Sequence, residues 1–307
     1  MGPVRVFVTG ATGAVGQPAV QALLGAGHHV TGVARSTEKA DLLRSLGAEP
    51  VHVDLFDADA VAAAIAGHDA VANLATKIPP TSKAALKRSW QENERIRREA
   101  SAHVADAVLA SAAGRLVQES IAFAYAEGSG DEWLDEDTPL DLPPGFDALE
   151  VAEANAKRVT EGGKVGVVLR FGNFYGPGAA HSQDWVRLAR RRLPGTMGDP
   201  AGYWPTIHLD DAGRAVVAAL DAPAGTYNVV DDEPLTKEQM GLVMAEAAGA
   251  KPPRQMPKVA DKLATSRAPM LGRSLRVSNR RFEEATGWAP DHPSFREGWG
   301  PTAAALS

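Results

Sequence analysis

The sequence predicts an α/β chain: a doubly wound parallel sheet with a smaller C-terminal lobe. Three observations predict it. Short apolar, Val-rich runs alternate with helical stretches over the first 172 residues. The first such run passes directly into a glycine-spaced turn and then a helical period. After Asn173 the alternation breaks up into loop signals and aromatic-bearing segments. Strand–helix alternation of this kind builds a parallel sheet through right-handed crossovers, with helices on both faces.

The elements follow in order. Val4-Arg5-Val6-Phe7-Val8 reads as the first strand, and apolar residues at Val15, Ala19, Val20, Leu23 and Leu24 set the period of the first helix. His28 to Ala34 is the second strand. The polar Arg35-Ser36-Thr37-Glu38 caps a helix through Leu46. Pro50 to Val53 is the third strand, ending at Asp54, and Asp57 to Ala66 is an Ala-rich helix. Asp69 to Leu74 is the fourth strand. Lys83 to Ala113 carries a long, charged helical pattern, and Arg115 to Glu119 is the fifth strand. Asp147 to Glu161 is helical, and Val165 to Arg170 is the sixth strand. Gly176-Pro177-Gly178, Pro194-Gly195 and Asp199-Pro200 then mark loops. Asp210 to Leu220 reads as a helix, Thr226 to Val230 as a strand, and the chain beyond Pro252-Pro253 as helical pieces.

Composition bounds the function. The 307 residues include 44% hydrophobic and 23% charged residues, ordinary for a globular protein. A net charge of −6 argues against nucleic acid and anionic membranes as general partners. No cysteine is present, which excludes disulfides, thiolate catalysis and Cys-ligated metals and fits a cytoplasmic protein. The N-terminus lacks a basic and an apolar leader region, and no run of about 18 apolar residues occurs, so neither a signal peptide nor a membrane span is expected. No His/Asp/Glu cluster has metal-ligand spacing, so no metal is expected.

The strand–turn–helix context gives the glycines a chemical meaning. Gly10 allows the turn, Gly13 leaves room for a pyrophosphate against the backbone, and Gly16 lets the helix pack close to the strand. Thr12, Ala14 and Val15 complete the loop. The N–H groups that open the helix then face the phosphates, helped by the helix dipole. This is a Rossmann-type dinucleotide site. Residues 1–172 are expected to form that domain, with 203–230 returning to it. Residues 173–202 and 231–307 are expected to form the smaller substrate-binding lobe.

Several segments together resemble a known family. Thr9-Gly10-Ala11-Thr12-Gly13-Ala14-Val15-Gly16 resembles the T-G-x-x-G-x-x-G fingerprint of short-chain dehydrogenases/reductases. Leu169-Arg170-Phe171-Gly172-Asn173-Phe174-Tyr175-Gly176-Pro177-Gly178 resembles a segment of the extended, NAD-dependent epimerase/dehydratase branch, as do Ile207 to Ala212 and Tyr227-Asn228-Val229. The resemblance implies a nicotinamide cofactor, an adenine contact at Asp54-Leu55, and a homodimer. It also implies chemistry by a Tyr and a Lys four residues later on the helix after the fifth strand, the Tyr moving a proton while nicotinamide moves a hydride. Here the match fails. No Y-x-x-x-K occurs, and the corresponding helix puts Leu149 and Glu153 at those places. Gln118-Glu119-Ser120-Ile121-Ala122-Phe123-Ala124-Tyr125 replaces a Ser-rich run ending in Tyr, with Ser120 one place before the usual catalytic Ser.

The candidate residues follow. Arg35, after the second strand with no acid beside it, favours NADP over NAD through a 2′-phosphate. Leu74, Ala75 and Thr76, with Asn73, are expected beside the ribose and nicotinamide, and Asn93 is a further candidate on the long helix. With the Tyr–Lys pair missing, Tyr125, Glu119 and Ser120 are the candidate proton-transfer groups, while Glu153 reads as a helix-surface acid. Asn173, His181, Tyr203 and Trp204 are candidate substrate contacts. His28 and His29 read as surface residues, and His208 as a fold-supporting one. The function expected is an NAD(P)-dependent oxidoreductase or epimerase acting on a small carbonyl, sugar derivative or secondary metabolite. The alternatives are a non-catalytic NAD(P)-binding regulator and a non-redox isomerase or cyclase on the same scaffold.

Overall fold

The computed structural model describes residues 2–79, 86–254, 261–263, 265 and 268–307. Seven strands form one sheet: β1 (Arg5–Thr9), β2 (His29–Val33), β3 (Glu49–Val51), β4 (Ala70–Asn73), β5 (Arg115–Ile121), β6 (Val165–Phe171) and β7 (Gly225–Val229). Their order is β7-β6-β5-β4-β1-β2-β3, and every pair is parallel. The winding direction reverses between β1 and β4, which opens a crevice at the carboxyl ends of these strands.

Alternation along the strands feeds two apolar layers. On one face, α1 (Gly16–Gly25) and α8 (Leu209–Ala218) bury Val20, Leu23, Ala215 and Val216 against Val6, Val8, Val117, Leu169 and Val229. On the other, α3 (Ala58–Ile65), α5 (Ser101–Ala110) and α6 (Ala148–Glu161) bury Ile65, Val104, Val108 and Val159 against Phe7, Val71, Leu116 and Val168. Helix starts are chemically marked. Ser36 caps α2 (Thr37–Leu46) by accepting from the Lys39 N–H, and Asp57 caps α3 by accepting from the Asp59 and Ala60 N–H groups.

A second apolar cluster joins Tyr175, Trp185, Trp204, Met240, Met244, Phe295 and Trp299. It gathers α7 (Ala180–Arg190), α9 (Lys237–Ala247) and the helix Phe295–Ala305. Short strand pairs frame it: Asn173–Tyr175 with Thr206–His208, and Tyr203–Trp204 with Leu235–Thr236. Among the described residues, no helix is long and apolar enough to cross a membrane.

Two sequence readings change. The long helix is composite: a 3-10 turn (Lys87–Trp90), α4 (Gln91–Arg95), a π-turn (Ile96–Ala100) and then α5. Its expected start at Lys83 lies outside the described residues. His28 is buried, not at the surface, because its Nδ1 accepts from the Val4 N–H at 3.3 Å at the start of β1.

Candidate active site

The carboxyl ends of β1, β4 and β5 are stitched together by side chains. Thr9 Oγ1 donates to Asn73 Oδ1 at 2.5 Å and accepts from the Ala75 N–H at 3.2 Å. Asn73 Nδ2 donates to Gln118 Oε1 at 2.8 Å. These bonds fix the loop Leu74-Ala75-Thr76 against the glycine turn. Gly10 has φ +64°, and a Cβ there would stand 2.5 Å from the Leu74 carbonyl oxygen. A Cβ on Gly16 would lie 2.0 Å from the Gly10 carbonyl oxygen.

Gly13 differs. It is exposed, and a Cβ there would meet only the Gly10 oxygen, at 3.1 Å. No side chain caps the first turn of α1, and no acid lies in it. The turn therefore presents bare backbone N–H groups, the positive end of a helix and an open approach at Gly13, which suits a diphosphate. Thr12 and Ala14 border the opening, and Val15 is buried beneath it.

The other cofactor candidates line the same edge. The Arg35 side chain is 67% exposed and only 3.6 Å from the Glu92 carboxylate, an ion pair weak enough to exchange for a phosphate. Asp54 is exposed and accepts from the Phe56 N–H, and the Leu55 carbonyl lies 3.0 Å from His103 Nδ1. Asn93 is buried and accepts from the Lys77 N–H at 2.9 Å, so it holds the loop that follows β4.

At the β5–α6 corner the side chains differ from those that the resemblance implies. Leu149 lies in an apolar cluster with Ala124 and Met270, against which Ile121, Phe123 and Phe146 pack. Leucine and isoleucine thus meet where the resemblance would put tyrosine and serine. Glu153 is a correction to the surface reading. Its carboxylate takes two hydrogen bonds from Arg170, Nε to Oε1 at 2.9 Å and Nη2 to Oε2 at 2.7 Å, with both side chains largely buried. Ser120 Oγ donates to Glu153 Oε1 at 2.5 Å.

Tyr125, Ser120 and Glu119 are brought near this corner but not as free acids. Tyr125 is fully buried. Its hydroxyl donates to Asn228 Oδ1 at 2.7 Å and accepts from Arg170 Nη1 at 2.9 Å. Burial pushes the phenol up to about 12, with the Arg170 guanidinium pulling the other way. Ser120 is enclosed and committed to Glu153. Glu119 is paired with Arg97, whose Nη2 reaches both carboxylate oxygens at 3.0 and 2.8 Å. Burial raises the Glu119 carboxyl, and Arg97 opposes the shift. All three candidate proton-transfer groups are thus hydrogen-bonded to partners within the protein.

The lobe candidates divide in the same way. His181 is partly buried, with Nε2 bonded to the Phe174 carbonyl, and burial lowers its pKa. Tyr203 donates to Asp131 Oδ1 at 2.9 Å from a partly exposed position. Asn173 is partly buried beside β6, in register with Thr206. Trp204 is buried in the second cluster.

Sequence reasoning missed the partners. Arg97 and Arg170 are the cations of the two buried pairs, and Glu136 accepts from the Asn228 N–H at 2.7 Å. A charged residue inside an apolar strand, such as Glu119 or Arg170, was the available signal, since a buried charge needs a counter-charge. His208, Asp211 and His292 also converge, with ligand atoms within 4.8 Å of one another. Each is already committed. Asp211 accepts from Arg214, from the N–H groups of Asp291 and His292, and from the His292 ring, while His208 Nδ1 accepts from the Asp210 N–H. His292 lies 81 residues beyond Asp211, so local spacing could not reveal the knot.

Comparison with known proteins gives the family. The profile of the NAD dependent epimerase/dehydratase family matches residues 6–230. The chain is 37% identical to a 3-diazoavenalumate denitrifying reductase of a Streptomyces species, covering 96% of this chain and 99% of that one. It is 29% identical to a 2-alkyl-3-oxoalkanoate reductase of Shewanella oneidensis, covering 91% and 74%. Among solved structures, UDP-glucose 4-epimerase of Thermotoga maritima superposes with a TM-score of 0.79 at 19% identity, covering 98% of each chain. A human epimerase family protein solved with NADPH gives 0.78 at 23% identity, covering 98% and 99%. The chain belongs to the NAD-dependent epimerase/dehydratase family.

Proposed function

We propose that this protein is an NADP(H)-dependent reductase that delivers hydride to an acceptor needing no proton from the enzyme. One observation carries the reading: the glycine turn is intact, while Leu149 and Glu153, where the resemblance puts the proton-transferring pair, are packed in an apolar cluster and paired with Arg170. When bound, the reduced nicotinamide supplies the hydride. The chain's residues hold it. The turn at Gly10, Gly13 and Gly16 takes the diphosphate, and Arg35 takes the 2′-phosphate that distinguishes NADP from NAD. Ile121 and Leu149 keep the reacting face apolar and exclude water.

A carbonyl acceptor becomes an alkoxide and needs a proton donor. A diazonium carbon acceptor does not. Hydride addition followed by loss of dinitrogen converts an arenediazonium ion to the arene, with charge and atoms balanced. The diazo substrate in the name of the relative at 37% identity supports this choice of acceptor. The test is NADPH oxidation with an arenediazonium salt against a panel of ketones, corrected for the uncatalysed rate. Turnover with release of dinitrogen, and little with ketones, is expected. Ketone reduction without diazonium reduction would overturn the reading.

A further inference from the structure

A buried cation beside the second cluster lacks a counter-ion among the described residues. Lys237 opens α9 directly after its cap Thr236 and is only 4% exposed. Its Nζ donates to the Gly272 carbonyl at 2.7 Å and lies 5.6 Å from the Trp204 ring centre. Among the described residues, no carboxylate lies within ion-pair distance of it. The position is unfavourable twice over: an ammonium loses hydration there, and a cation in a first helical turn opposes the helix dipole. Burial drives the amine down to about 8, against the pull of Glu127, Asp261 and Asp199. Those three carboxylates accept from the N–H groups of Ser274, Gly198 and Ala201 instead.

A second donor sits beside it. Trp204 is also buried, and its indole Nε1 has no hydrogen-bond partner. Phe123 stacks on Trp204, with ring centres 6.1 Å apart and planes at 23°. The same Phe123 packs with the cluster of Leu149 and Ile121 at the β5–α6 corner. Phe123 thus touches both the apolar cluster of Leu149 and Trp204, and Trp204 in turn neighbours Lys237.

We propose that Lys237 Nζ and Trp204 Nε1 bind the carboxylate of an aromatic carboxylate substrate whose ring lies along Phe123 and Trp204. The assignment of the other end of that substrate to hydride transfer rests on the reductase reading, but binding alone tests the carboxylate site. The experiment is calorimetric titration of trans-cinnamate and of uncharged cinnamamide into the NADP⁺-loaded protein, for wild type, Lys237→Met and Trp204→Phe.

Wild type is expected to bind cinnamate at least tenfold more tightly than cinnamamide. Lys237→Met loses that preference, and Trp204→Phe reduces it a few-fold, while both keep their NADP⁺ affinity. Lys237→Met also raises Tm at pH 7, because it removes a buried ammonium. The gap in Tm closes as pH rises from about 8 toward about 10.4, where an unfolded lysine titrates. In that window the native amine is already neutral and the unfolded one is still charged, so wild-type stability recovers. Equal affinity for the two ligands, failure to bind either, or an intact preference in Lys237→Met overturns the proposal. Absence of diazonium turnover with the cinnamate preference intact overturns only the proposed reaction.

Discussion

The β1–α1 turn and the β5–α6 corner border one crevice and are made of different materials. The turn is backbone: a left-handed Gly10, a close contact at Gly16 and uncapped N–H groups at α1. The corner is side chain: Ser120, Glu153, Arg170, Tyr125 and Asn228 form one hydrogen-bonded chain through the interior. The cofactor cradle tolerates no substitution at its closest contacts, because any Cβ collides with main chain. The corner can exchange one set of side chains for another, provided that every buried charge keeps a partner. Side-chain identity can thus change at the corner while the backbone of the turn stays fixed.

The largest effect should come from the corner's charge balance. Glu153→Ala leaves the Arg170 guanidinium buried with only Tyr125 and the Glu136 carbonyl as partners. Breaking a buried pair from one side costs about 3–5 kcal/mol, whereas removing both ends costs far less. Urea unfolding of Glu153→Ala and of the double variant Glu153→Met/Arg170→Met measures the difference. A single variant within about 1 kcal/mol of wild type would mean that the pair does not hold the corner.

At the turn, Gly13→Val should fold, since the position is exposed and its only close neighbour is the Gly10 oxygen at 3.1 Å. The branched side chain would fill the phosphate approach. NADPH affinity, read by fluorescence, should fall by about 100-fold or more, or about 2.7 kcal/mol. Unchanged binding by the folded variant would remove the cofactor assignment and, with it, the contrast between the two regions.

Legibility in the sequence follows the same division. The turn was readable because its determinants are contiguous: three glycines between a Val-rich run and a helical period. The seven strands of the main sheet came out within a residue or two for the same reason, whereas the two- and three-residue strands outside it did not. The corner was readable only as a departure, the absence of Tyr and Lys. What replaced them was set by pairings across the fold. Glu119 meets Arg97 from 22 residues away, Ser120 meets Glu153 across 33, and Tyr125 meets Asn228 across 103. Tyr125 is a candidate acid from the sequence because it follows a strand at the active edge; its burial depends on the 3-10 turn Ala122–Ala124, which carries it into the core. The π-turn at Ile96–Ala100, which carries Arg97, has no sequence mark either.

A smaller effect should separate the two cofactors. Arg35 is exposed and loosely held by Glu92, so Arg35→Ala removes little from the fold. A charge-assisted hydrogen bond to a 2′-phosphate contributes about 1.5–3 kcal/mol, so NADPH should weaken roughly ten- to a hundredfold while NADH hardly changes. Parallel titrations of the two cofactors decide it. Equal losses would place Arg35 outside the 2′-phosphate site.

The smallest effect on turnover, and the sharpest on the comparison, should be that of Tyr125→Phe. A general acid lost from the corner would cost about 10²–10⁴ in rate. Tyr125 is enclosed, and its proton is directed at Asn228 Oδ1, so its removal should lower turnover less than tenfold and leave cofactor affinity alone. The loss should appear in stability, at about 1–3 kcal/mol, because Asn228 and Arg170 each lose a buried partner. The pH dependence has a definite sign. The native phenol keeps its proton up to about 12, whereas an unfolded tyrosine ionises near 10, so its contribution is full below about pH 10 and declines above it. Tyr125→Phe should lack that alkaline decline. A rate loss of 10² or more, with stability unchanged, would return Tyr125 to the acid's place and make the corner a working proton-transfer site.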